Sequence, residues 1–132
     1  MSSKLNDITD LYIAAGNTQP SSAVVTSVTS AAVDMITCDN NCFVIMNIGT
    51  VGGTAPVFIG NVQESPSTTS GSFTDLTLAT FTTVTSTTGA NMIYSMNFQR
   101  TQRFVRFIGT ISGTTSSVAL DVLFLGQKKQ VS

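Results

Sequence analysis

The side chains able to do acid–base, nucleophilic or ligating chemistry in this chain of 132 residues are seven carboxylates, three arginines, two cysteines and many hydroxyls; histidine is absent. The acids are Asp7, Asp10, Asp34, Asp39, Glu64, Asp75 and Asp121. Glycoside hydrolysis needs two carboxylates facing each other across a cleft. Glu64 and Asp75 have the right types, but their spacing does not demand that role, and carboxylates more often cap turns or face water. The 21 Thr and 16 Ser give 37 hydroxyls with no imidazole to activate any of them. A Ser–His–Asp relay and a His-ligated metal are excluded by composition. The expectation is a protein without catalysis, metal or cofactor.

Arg100, Arg103 and Arg106 fall within seven residues and have the chemistry to grip phosphate or carboxylate. On a strand running from Arg103, however, Arg103 and Arg106 point to opposite faces, which denies them a common patch. The residues favour a structural pair instead, Arg106 with Asp121 on a neighbouring strand, each the lone charge of an apolar stretch. Such cross-strand pairs contribute roughly 0.2–1 kcal/mol. Cys38 and Cys42 flank Asp39-Asn40-Asn41. That spacing suits a small disulfide across a turn, half of a metal site, or two buried small hydrophobes. No second ligand pair exists for zinc, so burial is the favoured reading. The run Gly49-Thr50-Val51-Gly52-Gly53 lacks the Gly-Lys-Ser/Thr ending of a phosphate loop.

Six Lys+Arg against seven Asp+Glu leave a net charge of −1, and only 10% of residues are charged. Six scattered cations make no phosphate-binding stripe, so nucleic acid is not an expected partner. Hydrophobic residues at 42% with so little charge also argue against disorder. Asp7 and Asp10 interrupt any apolar signal core near the start, and no run approaches the ~18 residues of a membrane span. A membrane is therefore not expected, and synthesis in a cytoplasm is.

These side chains must be carried by strands. Val118, Leu120, Val122 and Phe124 alternate with Ala119, Asp121 and Leu123, the period of a half-buried strand. Turn-rich clusters at 16–20, 39–41, 49–54, 65–71, 86–89 and 112–115 separate apolar runs. Strands are predicted at 11–14, 23–28, 32–37, 42–48, 57–64, 73–84, 92–98, 104–111 and 118–125. Eight or nine short strands read as an all-β fold, a β-sandwich or barrel. The chain, 1–132, reads as a single domain with residues 1–20 as an N-terminal arm.

One further signal is the order of short motifs. Val44-Ile45-Met46-Asn47-Ile48-Gly49, Asn61-Val62-Gln63-Glu64-Ser65, Ser72-Phe73-Thr74-Asp75, Arg103-Phe104-Val105-Arg106 and Leu125-Gly126-Gln127-Lys128-Lys129 follow one another between residues 43 and 129. This order resembles the small structural proteins of tailed bacteriophages that decorate or cement the head. Phe104 stands where Tyr is commoner in that pattern, and the segment 65–71 is longer. The resemblance implies a jelly-roll-like sandwich on the outer capsid surface, with the major capsid protein and further copies of itself, as a homotrimer or homodimer, as partners. Its motifs are fold-forming, so no contact residues carry over. Two rival expectations are a tail, neck or fibre-associated virion adaptor and a carbohydrate or host-surface binding module. The second is disfavoured by the absence of Trp and the presence of only two Tyr, Tyr12 and Tyr94.

Overall fold

Thr and Val in alternation favour extended backbone over helix, because branching at Cβ packs well on a pleated surface. The computed structural model, which describes residues 12–17 and 21–129, accordingly consists of strands and turns. Nine segments form one antiparallel sheet: β1 Tyr12–Asn17, β2 Ser21–Val24, β3 Val28–Thr29, β4 Val33–Asp34, β5 Cys38–Ser65, β6 Thr74–Thr80, β7 Val84–Thr85, β8 Met92–Gln99 and β9 Phe104–Lys128. A single 3-10 turn spans Ser70–Ser72, and no α-helix occurs among the described residues. The all-β expectation holds. The stretch 12–17 of the expected arm is strand β1, paired with β9; residues 1–11 and 18–20 lie outside the described residues.

Two pairs of predicted strands are each one continuous strand. The expected breaks at 39–41 and 49–54 lie inside the 28-residue β5, and that at 112–115 lies inside the 25-residue β9. The reason is that β5 and β9 turn the same corner side by side. Their ladder runs from Cys38↔Lys128 to Ser65↔Phe104 and absorbs the bend as register shifts at Ile48/Val51, Gly52/Thr54 and Thr54/Val57. Left-handed backbone at Gly53 (φ 105°) and Gly113 (φ 110°) makes the corner, and a side chain at Gly53 would strike Ser116 Cα at 2.6 Å. The breaker residues were bulges, so pairing continued through them. The predicted strand 73–84 is divided the other way, into β6 and β7, by the non-strand stretch 81–83, where Phe81 N alone still donates to Gly60 O of β5 at 2.8 Å.

The corner divides the sheet into two halves. In the first, residues 42–48 of β5 lie between β8 and the 118–127 stretch of β9, which in turn pairs with β1 and β2. In the second, residues 57–65 of β5 pair with β6, β7 and the 104–112 stretch of β9, which also pairs with β3 and β4. Both halves turn alternate residues into one core: Val44, Met46 and Ile48 from the first stretch of β5, Phe58 and Val62 from the second, and Val105, Phe107, Val118, Val122 and Phe124 from β9.

The second half carries a two-glycine trough at its centre. Gly60 and Gly109 sit directly opposite each other. The Phe107 ring covers Gly60, where an added methyl would lie 2.6 Å from the ring and 3.1 Å from Met46 Sδ. The Phe58 ring covers Gly109 in the same way, also at 2.6 Å. The two rings lie 6.4 Å apart, 28° from parallel. Aromatic cover of a strand glycine restores the contact area that the missing side chain gives up. Gly60→Ala or Gly109→Ala should therefore overpack the core and lower stability by about 1–3 kcal/mol. Phe107→Ala should cost ~3–5 kcal/mol. Urea denaturation of the three variants checks this; an unchanged midpoint for either glycine variant would contradict the trough.

Candidate functional site

Alternation gives each half of the sheet an outward face, and the two faces differ in chemistry. On the second half the outward positions of β9 are Phe104, Arg106 and Ile108. Arg106 Nε donates to Gln63 Oε1 at 2.8 Å, and its guanidinium lies 4.2 Å from the Phe73 ring centroid. Gln63 Nε2 donates onward to Asp75 Oδ1 at 2.8 Å, and Asn61 Nδ2 reaches the same oxygen at 3.0 Å. A charge-to-charge chain thus runs through one amide, Arg106–Gln63–Asp75. Arg103 forms a two-point ion pair with Asp34, at 2.9 and 2.7 Å, and stacks 5.0 Å above Phe104. The hydrogen bonds from Arg103 hold the Asp34 carboxyl below its usual range, and Asp34 raises Arg103 in return.

These contacts correct two expectations. Arg106 and Asp121 do not pair: both lie on β9, on opposite sides of the corner, and they occupy different halves of the sheet. Asp121 sits opposite Asn47, with Oδ1 shielded from solvent and lacking a hydrogen-bond partner. Arg103 and Arg106 also share a side of the sheet after all. Arg103 precedes β9, so strand alternation does not govern it, and its side chain folds back over Phe104.

Glu64 and Asp75 are adjacent in register but point to opposite faces, so they do not form a facing acid pair. Glu64 is buried and accepts hydrogen bonds from Thr101 N (2.7 Å), Thr101 Oγ1 (2.6 Å) and Gln102 N (3.1 Å). Arg100, also buried, donates to the carbonyls of Met35, Cys38 and Gln102. Together they fasten the turn between β8 and β9 to the loop entering β5. The sequence held a clue for Glu64, which continues the inward series 58, 60, 62. Arg100 carried no such signal, because it lies outside any alternation.

Cys38 and Cys42 are both free and buried. No group of three His, Cys, Asp or Glu side chains converges among the described residues. Burial pushes the Cys42 thiol up to about 11. Asp7 and Asp10 lie outside the described residues, and no described helix is long and apolar enough to cross a membrane.

The first half of the sheet presents a different outward face. Its centre is two cross-strand apolar pairs, Phe43 opposite Leu125 and Ile45 opposite Leu123. All four are half-buried. Ile93 on β8 extends the patch and is 69% exposed. One end is closed by an amide row across three strands, Gln99 Nε2 to Asn41 Oδ1 at 3.1 Å and Asn41 Nδ2 to Gln127 Oε1 at 3.2 Å. Among the outward positions 41–47 of β5, 93–99 of β8 and 121–127 of β9, Asp121 is the one charge. Large outward apolar side chains framed by neutral polar ones mark a contact surface more often than bare solvent exposure. Sequence reading placed Leu123 on the mixed face of its strand, but it could not see that Phe43, Ile45 and Leu125 share that face.

No protein-family model matches the chain, and no curated protein matches it.

The thiol offers a pH test. A folded-state value above the ordinary one means that the fold favours the protonated thiol. That contribution is complete below the unfolded thiol value of ~8.5 and is lost as pH rises towards about 11. Between those limits the parent chain should lose more stability than Cys42→Ala does, measured by urea melts at several pH values. Parallel alkaline limbs for the two proteins would refute the assignment.

Proposed function

We propose that this chain is a non-enzymatic structural protein of a tailed-phage virion, which binds the outer capsid surface and cements neighbouring coat subunits. The observation that carries the reading is the near-neutral apolar outward face of the first half-sheet. Protein surfaces that must dock over a wide area avoid charges at the centre of the contact, because each would have to be desolvated. The Phe43–Leu125 and Ile45–Leu123 pairs provide such a centre, and the amide row provides a polar rim.

The strand order supports the finer fold reading, an eight-pass jelly roll. Counting β1/β2, β3/β4, the two stretches of β5, β6/β7, β8 and the two stretches of β9 as passes one to eight, the halves read 1-8-3-6 and 2-7-4-5. That order is the one expected of the two-sheet Greek-key arrangement used by viral capsid and lectin domains. The motif order between residues 43 and 129 favours the virion over a sugar-binding role, as does a sequence without Trp and with only two Tyr. In this reading the major capsid protein and further copies of the chain are the partners, and the site of action is the virion surface after synthesis in the host cytoplasm. A cement acts by mass action: it binds the assembled shell and not free coat subunits, so it stabilises the shell by its own binding free energy.

The test has two parts. Quantitative mass spectrometry of purified particles should give a copy number of the same order as the coat protein. A few copies per particle would overturn decoration in favour of a tail or neck adaptor. Leu123→Gln combined with Ile45→Gln should weaken binding to stripped particles by about tenfold or more, ~1.4 kcal/mol, while the far-ultraviolet spectrum is unchanged. Undiminished binding would sink the face as the docking surface.

A further inference from the structure

The chain has two thiols, Cys38 and Cys42, both free and both buried. Four steps of regular strand would hold their Cα atoms ~13 Å apart. β5 does not run regularly there. Cys38 lies opposite Lys128 and Cys42 opposite Gly126, so four steps on β5 match two on β9. Two strand steps span ~6.7 Å, the upper end of the ~4.4–6.8 Å over which a disulfide joins Cα atoms. The surplus residues Asp39, Asn40 and Asn41 arch away from the β9 ladder. Cys38 N donates to Met35 O and Arg100 N donates to Asn40 O, each at 3.0 Å, and these bonds hold the arch.

Gly126 brings the two side chains together. It continues the inward series of β9 after Val122 and Phe124 and stands directly opposite Cys42. A methyl there would overlap the Cys38 side chain, striking its Cβ at 2.5 Å and its Sγ as well. Cys38 therefore occupies the place that a side chain at 126 would take. Residues directly opposite on an antiparallel pair hold their Cβ atoms ~4.5–5.5 Å apart, so that place is next to Cys42. Cys42 in turn lines a groove with Thr77, Leu78 and Asn97. β6 bulges beside it, taking five steps from Asp75 to Thr80 against two on β5. A small oxidant thus has a route to Cys42 first and to Cys38 behind it.

We propose that Cys38 and Cys42 close to an intramolecular disulfide within the folded chain, a covalent staple across the arch at the start of β5. The oxidant is a low-molecular-weight disulfide. The Cys42 thiolate attacks one of its sulfurs and releases one small thiol. The Cys38 thiolate then attacks the Cys42 sulfur of that mixed disulfide and releases the second. The two protein thiols lose two protons and two electrons, and the small disulfide becomes two thiols. The staple fixes the carbonyls of Cys38 and Asn40, both of which accept from Arg100, and it holds Asn41 in the middle of its amide row. Burial pushes the Cys42 thiol up to about 11, so thiolate is scarce and closure is slow at neutral pH. Closure itself does not need the virion; the function proposed above adds only its moment, when particles leave a reducing cytoplasm.

The experiment treats the purified full chain with oxidised glutathione at about pH 9, quenches with acid, alkylates in denaturant and weighs the intact protein. It stands or falls apart from any particle-binding result. The parent should lose about 2 Da, take up no alkylating reagent and recover both thiols with dithiothreitol. Its closed form should melt several degrees above the reduced form. Cys38→Ser and Cys42→Ser should each carry at most one glutathione and show no such rise. Gly126→Ala, which forces Cys38 aside, should close about tenfold or more slowly than the parent when folded, and at the parent's rate in urea. The urea arm separates lost geometry from altered thiol reactivity. A parent that keeps two alkylatable thiols, halts at glutathione adducts or links copies covalently overturns the proposal. So does a folded Gly126→Ala chain that closes as fast as the parent, or a closed form that melts no higher than the reduced one.

Discussion

The β5–β9 ladder is the interaction on which everything else in the molecule depends. The other strands are borne by one or the other of these two, and neither β5 nor β9 has another partner along its full length. The ladder is long-range in sequence, and its end at Ser65↔Phe104 joins the least distant residues. Loop-closure entropy is smallest there. The Gly60/Gly109 trough and its two phenylalanines lie a few residues inside that end. The most demanding packing in the core thus sits where pairing is entropically least costly, and it fixes register before the chain reaches the corner. A slip of one residue would place Phe58 and Phe107 on the outward face and expose both glycines.

The few charges of this chain are distributed according to that architecture. Glu64 and Arg100 satisfy buried backbone groups at the two loops that must stay in place for β5 and β9 to meet. Arg103, Asp34, Arg106 and Asp75 lie on the outward side of the second half-sheet, where they are tied into ion-pair and amide contacts. Arg106 is half-buried against Phe73, so its stem and ring contact contribute packing as well as charge. This leaves the outward side of the first half-sheet almost without charge. The asymmetry follows from the placement of a small number of ionic side chains, and it makes one side of the molecule fit for dry contact.

How much of this was legible in sequence depends on which physical signal each element left. Alternation disclosed strands such as 118–125 and their inward residues Val118, Leu120, Val122 and Phe124. Glycine clusters disclosed corners, but a glycine at positive φ looks the same whether pairing stops or bends through it. Only the partner strand decides, which is why two pairs of predicted strands became β5 and β9. Cross-strand neighbours left no trace at all. Arg106 and Asp121 seemed matched because each was isolated in an apolar run, yet the fold gives Arg106 a neutral amide and a ring instead. The outward apolar patch was invisible for the same reason, since Phe43 and Leu125 meet only across a ladder joining residues 82 positions apart.

Composition and edge geometry are two sides of one constraint. With 37 Ser and Thr side chains and only 10% charged residues, the outward strand positions gain polarity from hydroxyls that repel nothing, and Thr also favours extended backbone. Charge repulsion between copies is correspondingly weak at a net charge of −1. A sheet of this composition cannot rely on lysines to keep strangers from its edges, so protection has to come from shape. The bulge of β6, the two-residue strands and the irregular β1 supply it. Leu78 shows the cost that such protection tolerates, a large apolar side chain in left-handed backbone and open to solvent. Against that background β8, straight and neutral over eight residues, has no such device in its own geometry; the β6 bulge lies beside it instead, where Thr77 and Leu78 line one groove with Asn97, Phe98 and Gln99.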